Sequence, residues 1–155
     1  MSAVGYPSPE FDDDRFTWNG AVADGLTVAQ IRYEFGCWLR AGALIHRARA
    51  CDVILALNEA LANTAEFAYP DGGDGTVDVE AVRDRAHRIL TVTVSDRGHW
   101  RQTDPLQRQR RRGRGIQLMR SLADSLIIDA SGLGTSVCLR FEDVSAPSPV
   151  AAGAC

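Results

Sequence analysis

The sequence predicts an α+β sandwich. Strand-like runs come in groups separated by paired helical segments, no internal repeat breaks the chain into equal units, and strict strand–helix alternation is missing, so βαβ winding does not apply. At 155 residues, 45% hydrophobic and 24% charged, the chain has the material for one domain with a real core. We place that domain at residues 15–143, between a flexible acidic tail over 1–14 (Pro7, Pro9, then Asp12, Asp13 and Asp14) and a flexible tail of small residues and proline over 144–155.

Each element has a local signal. Arg15 to Asn19 alternates as a strand, and Thr27-x-x-Gln30 reads as a capping box that opens a helix with Val28, Ile31, Phe35, Trp38 and Leu39 on one face. A second helix is expected from about Asp52 to Ala68. Its apolar side (Val53, Ile54, Leu57, Leu61, Ala65, Ala68) lies opposite a stripe of Asp52, Glu59, Asn63 and Glu66. Val77 to Val82 and Arg88 to Ser95 read as a hairpin, with Asp96 at the strand's end. Arg97 to Arg114 reads as an irregular loop, a short helix follows from near Gly115, and Leu126 to Asp129 pairs with Thr135 to Phe141 in a last hairpin.

Composition excludes several chemistries. All 17 basic residues are Arg, so a phosphate loop built on lysine, a pyridoxal Schiff base and a lysine nucleophile are ruled out. Cys37, Cys51, Cys138 and Cys155 lack Cys-x-x-Cys spacing and are expected to be reduced, and no His cluster suggests a structural metal. The acidic start of the chain and the absence of a long apolar run predict a cytoplasmic protein with no membrane association. Charge is uneven: the 97–114 segment carries +6 and the remainder −9. The low overall pI of about 5.6 argues against direct nucleic-acid binding, although the Arg run can meet phosphate or an acidic partner.

Four small patterns carry possible chemistry. Glu59 and Asn63 are one helical turn apart, a spacing that suits a base and a Mg²⁺ ligand and equally suits a solvated helix face. Asp96-Arg97-Gly98 puts an acceptor-only carboxylate at a strand end, able to read an exocyclic amino group or simply to shape a turn. Gly113-Arg114-Gly115 reads as a glycine hinge entering a helix whose free N–H groups favour phosphate. Gly134-Thr135 closes the last turn, where a hydroxyl can support a base or finish the hairpin.

The order of these pieces, with the local text Asn58-Glu59-Ala60-Leu61-Ala62-Asn63 and the run from Gly113 to Asp124, resembles the Bergerat-fold, or histidine-kinase-like, ATPase superfamily. It is most similar to the small bacterial anti-sigma-factor serine kinases. The resemblance implies a two-layer α/β sandwich with a mixed, mostly antiparallel sheet and helices on one face. It implies ATP and Mg²⁺ as cofactors, with Glu59 as general base, Asn63 as metal ligand, Asp96 on the adenine amino group and Gly98 lining the base. Gly113 and Gly115 would flank a mobile lid and a phosphate-facing helix start, and Gly134 and Thr135 would match the family's Gly-Thr pair. The implied activity is phosphorylation of a Ser or Thr on an anti-sigma-factor antagonist by a homodimer that also binds a sigma factor. The chain's length suits this branch, because a sensor kinase needs a phosphoacceptor helical domain besides. Two positions depart from the family: Phe67 stands where His is frequent, and Trp100 replaces the second Gly of Asp-x-Gly-x-Gly. The second departure leaves an alternative open, a catalytically weak nucleotide-binding protein that regulates by sequestering a partner.

Overall fold

The computed structural model describes residues 8–41, 45–65, 75–98, 105–131 and 133–144, with only the backbone described over 105–113. Six strands form one sheet: β1 (Glu10–Phe11), β2 (Arg15–Val22), β3 (Thr76–Asp84), β4 (Ile89–Asp96), β5 (Ser125–Ser131) and β6 (Gly134–Phe141). They lie in the order β1-β2-β3-β4-β6-β5. All five pairings among the described residues are antiparallel, in keeping with the mostly antiparallel sheet that the resemblance implies. Helices α1 (Gly25–Ala41), α2 (Arg47–Asn63) and α3 (Pro105–Leu122) complete the two-layer sandwich.

Alternation decides which face is covered. On β3, β4 and β6 the residues Val77, Val79, Ala81, Leu90, Val92, Val94, Val137, Leu139 and Phe141 are buried, while the intervening side chains face outward. Phe16 and Trp18 of β2 join them, and Phe16 packs edge-on to Phe35 with ring centroids 5.5 Å apart. From the helices, Ile31, Phe35 and Leu39 of α1 and Val53, Leu57 and Leu61 of α2 fill the same core.

Helix limits differ from expectation for identifiable reasons. Asp24, not Thr27, caps α1, its Oδ1 accepting from Thr27 N at 2.7 Å, and that bond lowers the Asp24 pKa. α2 starts five residues early, at Arg47, where His46 Nδ1 accepts from Ala48 N. The largest correction concerns α3. Residues read as an irregular loop form its first half, because Pro105 suits the first helical position and the Gln and Arg that follow are good helix formers. Gly113 and Gly115 therefore sit inside a helix and do not mark its start.

Residues 8–14, placed in the N-terminal tail by sequence, form β1 and a latch onto α1. Trp38 Nε1 donates to Asp12 O at 2.7 Å. Buried Arg83 donates to Asp13 O, to Trp38 O and to Leu39 O, and its guanidinium lies 3.9 Å from the Trp38 ring centroid. Two of those acceptors are carbonyls in the last turn of α1, where a helix has no intrahelical donors of its own to offer. Cys37 and Cys138 are free thiols as expected, whereas Cys51 is disulfide-bonded, against the expectation of a fully reduced set. Among the described residues no helix is long and apolar enough to cross a membrane.

Candidate functional site

The site lies where α2, α3 and the ends of β4 and β6 meet. Asp96 is the last residue of β4 and pairs with Thr135 of β6. The alternation that buries Leu90, Val92 and Val94 also turns Asp96 inward, where it is only 8% exposed. Its Oδ1 accepts from Gly98 N at 3.1 Å and from Thr135 N at 3.3 Å, while Thr64 Oγ1 lies 3.5 Å from Oδ2. Burial pushes the Asp96 pKa above its ordinary value, and these three hydrogen bonds offset part of that rise.

Burial makes a carboxylate a costly group, and one neighbour is incomplete among the described residues. Thr135 Oγ1 is buried there without a hydrogen-bond partner, in a residue only 4% exposed. Gly134 permits this approach of β6 to β4: its φ is +143°, and a Cβ there would lie 2.0 Å from Asp96 O. Gly98 is buried beside them.

The second half of the site is the stripe on α2. Glu59 and Asn63 are half-buried and both face Gly115 of α3. A Cβ at Gly115 would come within 3.0 Å of Glu59 Oε2 and 3.4 Å of Asn63 Oδ1, so glycine sets how closely α3 crosses the pair. Asp52, expected in the same stripe, instead pairs with Arg49 at 3.5 Å. Thr64, which sequence reasoning did not single out, follows Asn63 directly and joins the α2 stripe to Asp96. Its only signal was a hydroxyl next to the candidate ligand.

The structure thus brings together Glu59, Asn63 and Gly115, and separately Asp96, Gly98, Gly134 and Thr135, with Thr64 between. Gly113 is in α3, away from the helix start proposed for it. Glu66, Phe67, Trp100 and the side chains of Arg108, Arg110, Arg111 and Arg112 lie outside the described residues. No group of three or more His, Cys, Asp or Glu side chains able to hold a metal occurs among the described residues. Asn63 Oδ1, beside Gly115, is an oxygen that could serve as one protein ligand of a Mg²⁺ whose other ligands come from phosphate and water. Fit to adenine rests on the acceptor Asp96 and on the orphaned Thr135 hydroxyl.

A two-layer sandwich with helices on one side of an antiparallel sheet and an inward-facing carboxylate at a strand end has the architecture of an ATP-binding domain. The chain belongs to the histidine kinase-like ATPase domain family, whose model matches residues 22–141, and that membership implies ATP binding. Among solved structures it is similar to the RsbU and RsbW domains of Rv1364c from Mycobacterium tuberculosis. The TM-score is 0.65 and the identity 19%, over 83% of this chain and 32% of that one. It is also similar to the Erythrobacter litoralis EL346 blue-light activated histidine kinase, with TM-score 0.53 and 22% identity over 76% of this chain and 41% of that one. At these identities the likeness establishes the fold, and the chain spans about a third and two-fifths of the two structures' lengths. No curated protein matches the chain.

Asp96 yields a testable pH effect. The folded protein holds the Asp96 proton more tightly than the unfolded chain does, so this group's contribution to stability falls as pH rises from 3.8 through the raised folded value. Asp96→Asn keeps an acceptor for Gly98 N and Thr135 N and removes the buried charge. Urea denaturation at neutral pH is expected to show the variant at least as stable as wild type, with ATP affinity reduced roughly tenfold or more by the loss of a charged acceptor.

Proposed function

We propose that this protein is an ATP-dependent serine/threonine protein kinase that acts as an anti-sigma factor in a partner switch, phosphorylating an anti-sigma-factor antagonist. The observation that carries the reading is the convergence of Glu59 and Asn63 on one point beside α3, one residue from the Thr64 link to Asp96. The motif order of the small anti-sigma-factor kinases and the structural likeness to RsbW support the branch.

When bound, Mg-ATP supplies the electrophilic phosphoryl group and the charge that polarises it. Asp96 would accept a hydrogen bond from the adenine amino group, held by Gly98 N and Thr135 N so that its free lone pairs face the base. Asn63 would offer its carbonyl oxygen to the metal. Glu59 would accept the proton of the incoming Ser or Thr hydroxyl, and Gly115 leaves room for its carboxylate beside α3. Partners under this reading are a sigma factor, the anti-sigma-factor antagonist that serves as phosphoryl acceptor, and a second copy of the chain in a homodimer.

Asn63→Ala tests the metal ligand. Ligand at 100 times its dissociation constant adds about 2.7 kcal/mol to stability. For a domain of this size that is roughly 5–10 °C. Wild type is expected to show such a shift in thermal unfolding with Mg-ATP and the variant to lose most of it; equal shifts would remove Asn63 from the site. The activity itself is tested by incubating the protein with γ-labelled ATP and antagonist proteins, label on a Ser or Thr being the expected result.

Trp100, where the family has glycine, favours a second reading: a nucleotide-responsive protein that works by sequestration alone. Label transferred to any antagonist rejects it.

A further inference from the structure

We infer that Cys51 and Cys155 form a redox-reversible clamp that ties the segment 145–155 back onto the outer face of α2. The clamp does not depend on the kinase reading. The sequence has four cysteines, of which Cys37 and Cys138 are free thiols while Cys51 is disulfide-bonded. Cys155, outside the described residues, is the one cysteine left to be its partner.

The path of the chain keeps that closure short. Where the chain leaves β6 it is pinned to α2 two residues before Cys51: Arg49 Nη2 donates to Glu142 O at 3.2 Å, and Glu142 N donates to Asp124 Oδ2, which also pairs with Arg49. Val144 N then donates to Arg88 O at 3.2 Å. The eleven residues that follow, 145–155, reach roughly 36–40 Å when extended. Val144 is two residues from Glu142 and Cys51 two from Arg49, so the gap to be closed is a fraction of that reach.

The surface beside Cys51 suits this segment. Leu55, one turn further along the same side of α2, is 48% exposed, whereas Val53, Leu57 and Leu61 of that helix are buried. Residues 145–155 carry no charge, and Val150, Ala151 and Ala152 stand within five residues of Cys155. Their small apolar side chains can cover Leu55 once the disulfide holds them against the helix.

The clamp closes by thiol–disulfide exchange with a low-molecular-weight disulfide such as oxidised glutathione. One cysteine thiolate attacks a sulfur of the oxidant and releases one glutathione; the second thiolate attacks the mixed disulfide and releases the other, leaving the S–S bond between Cys51 and Cys155. Two protein thiols are oxidised, one glutathione disulfide is reduced, and the two thiol protons end on the two glutathione products. Cys51 is only half-buried, so reduced glutathione reaches the bond and reverses the step by the same route.

Peptide mapping of the full chain tests this, because each of the four cysteines falls in a tryptic peptide of its own. After equilibration with oxidised glutathione and blocking with iodoacetamide, peptide 50–83 is expected to be joined to peptide 141–155, with Cys37 and Cys138 alkylated. Millimolar reduced glutathione should separate the pair and leave all four cysteines alkylated. Thermal unfolding gives a second readout. Oxidised wild type should melt roughly 5–10 °C above the reduced protein, and Cys155→Ser should show no such difference. Cys51 joined to Cys37, to Cys138, to glutathione or to a second copy would overturn the clamp. So would four alkylated cysteines after oxidation, a link that survives millimolar reduced glutathione, or equal melting of oxidised and reduced wild type.

Discussion

Replacing Glu59 with Gln is expected to lower phosphotransfer by about 10²–10⁴-fold, the usual worth of a positioned general base, while Mg-ATP affinity stays within about twofold. The substitution keeps the size and the hydrogen-bonding capacity of the side chain beside Gly115, so α2 and α3 retain their separation. Only the capacity to take a proton is removed. Asn63, the proposed metal ligand beside the same glycine, is unchanged. The check is a single-turnover assay on an identified antagonist, with nucleotide affinity measured in parallel. Equal transfer by wild type and Glu59→Gln would assign the proton to another acceptor and leave Glu59 as a helix-surface residue.

The second large effect is expected at Gly134. An alanine there meets main chain and not a movable side chain: its Cβ would lie 2.0 Å from Asp96 O and 2.9 Å from Arg97 Cα, at a φ of +143° that side-chain-bearing residues rarely adopt. Either the β4–β6 ladder opens at its end or Asp96 is displaced. The cost is about 3 kcal/mol or more, which lowers the melting temperature by roughly 6–12 °C. Gly20 provides the comparison, because it also has positive φ (+67°) but nothing within 4 Å of the position its Cβ would take. Gly20→Ala should cost only about 1 kcal/mol. Differential scanning calorimetry of the two variants separates them; similar losses would mean that strain at φ, and not the contact with Asp96, sets the requirement for glycine.

The parts of this fold that were legible in the sequence are those whose signal is local and periodic. The β-branched run from Leu90 to Val94 gave β4 and placed Asp96 at its end. The hairpin between Ser125 and Phe141 followed from two alternating runs around Gly132 to Gly134. Glu59 and Asn63 share a stripe because helical geometry requires it. What they face was not legible: Gly115 is 56 residues from Glu59 in the chain, and nothing in either segment announces the contact. The start of α3 was hidden because Gln and Arg fill its first half, so helix propensity acted there without an apolar stripe to report it. Two glycines near the middle then looked like a boundary. Thr64 was missed because a lone Thr in a helix is unremarkable until the strand end it meets is known.

The proposed contact between buried Asp96 and the adenine amino group makes the most specific demand on a nucleotide. Adenine presents an amino donor at the position where guanine presents a carbonyl acceptor, and an ionised carboxylate accepts from the first and repels the second. Isothermal titration of wild-type protein with Mg-ATP and with Mg-GTP is therefore the measurement to make. The account predicts saturable binding of ATP and affinity for GTP lower by roughly tenfold or more. Equal affinity for the two nucleotides, or no binding of ATP at millimolar concentration, would contradict the proposed adenine contact of Asp96.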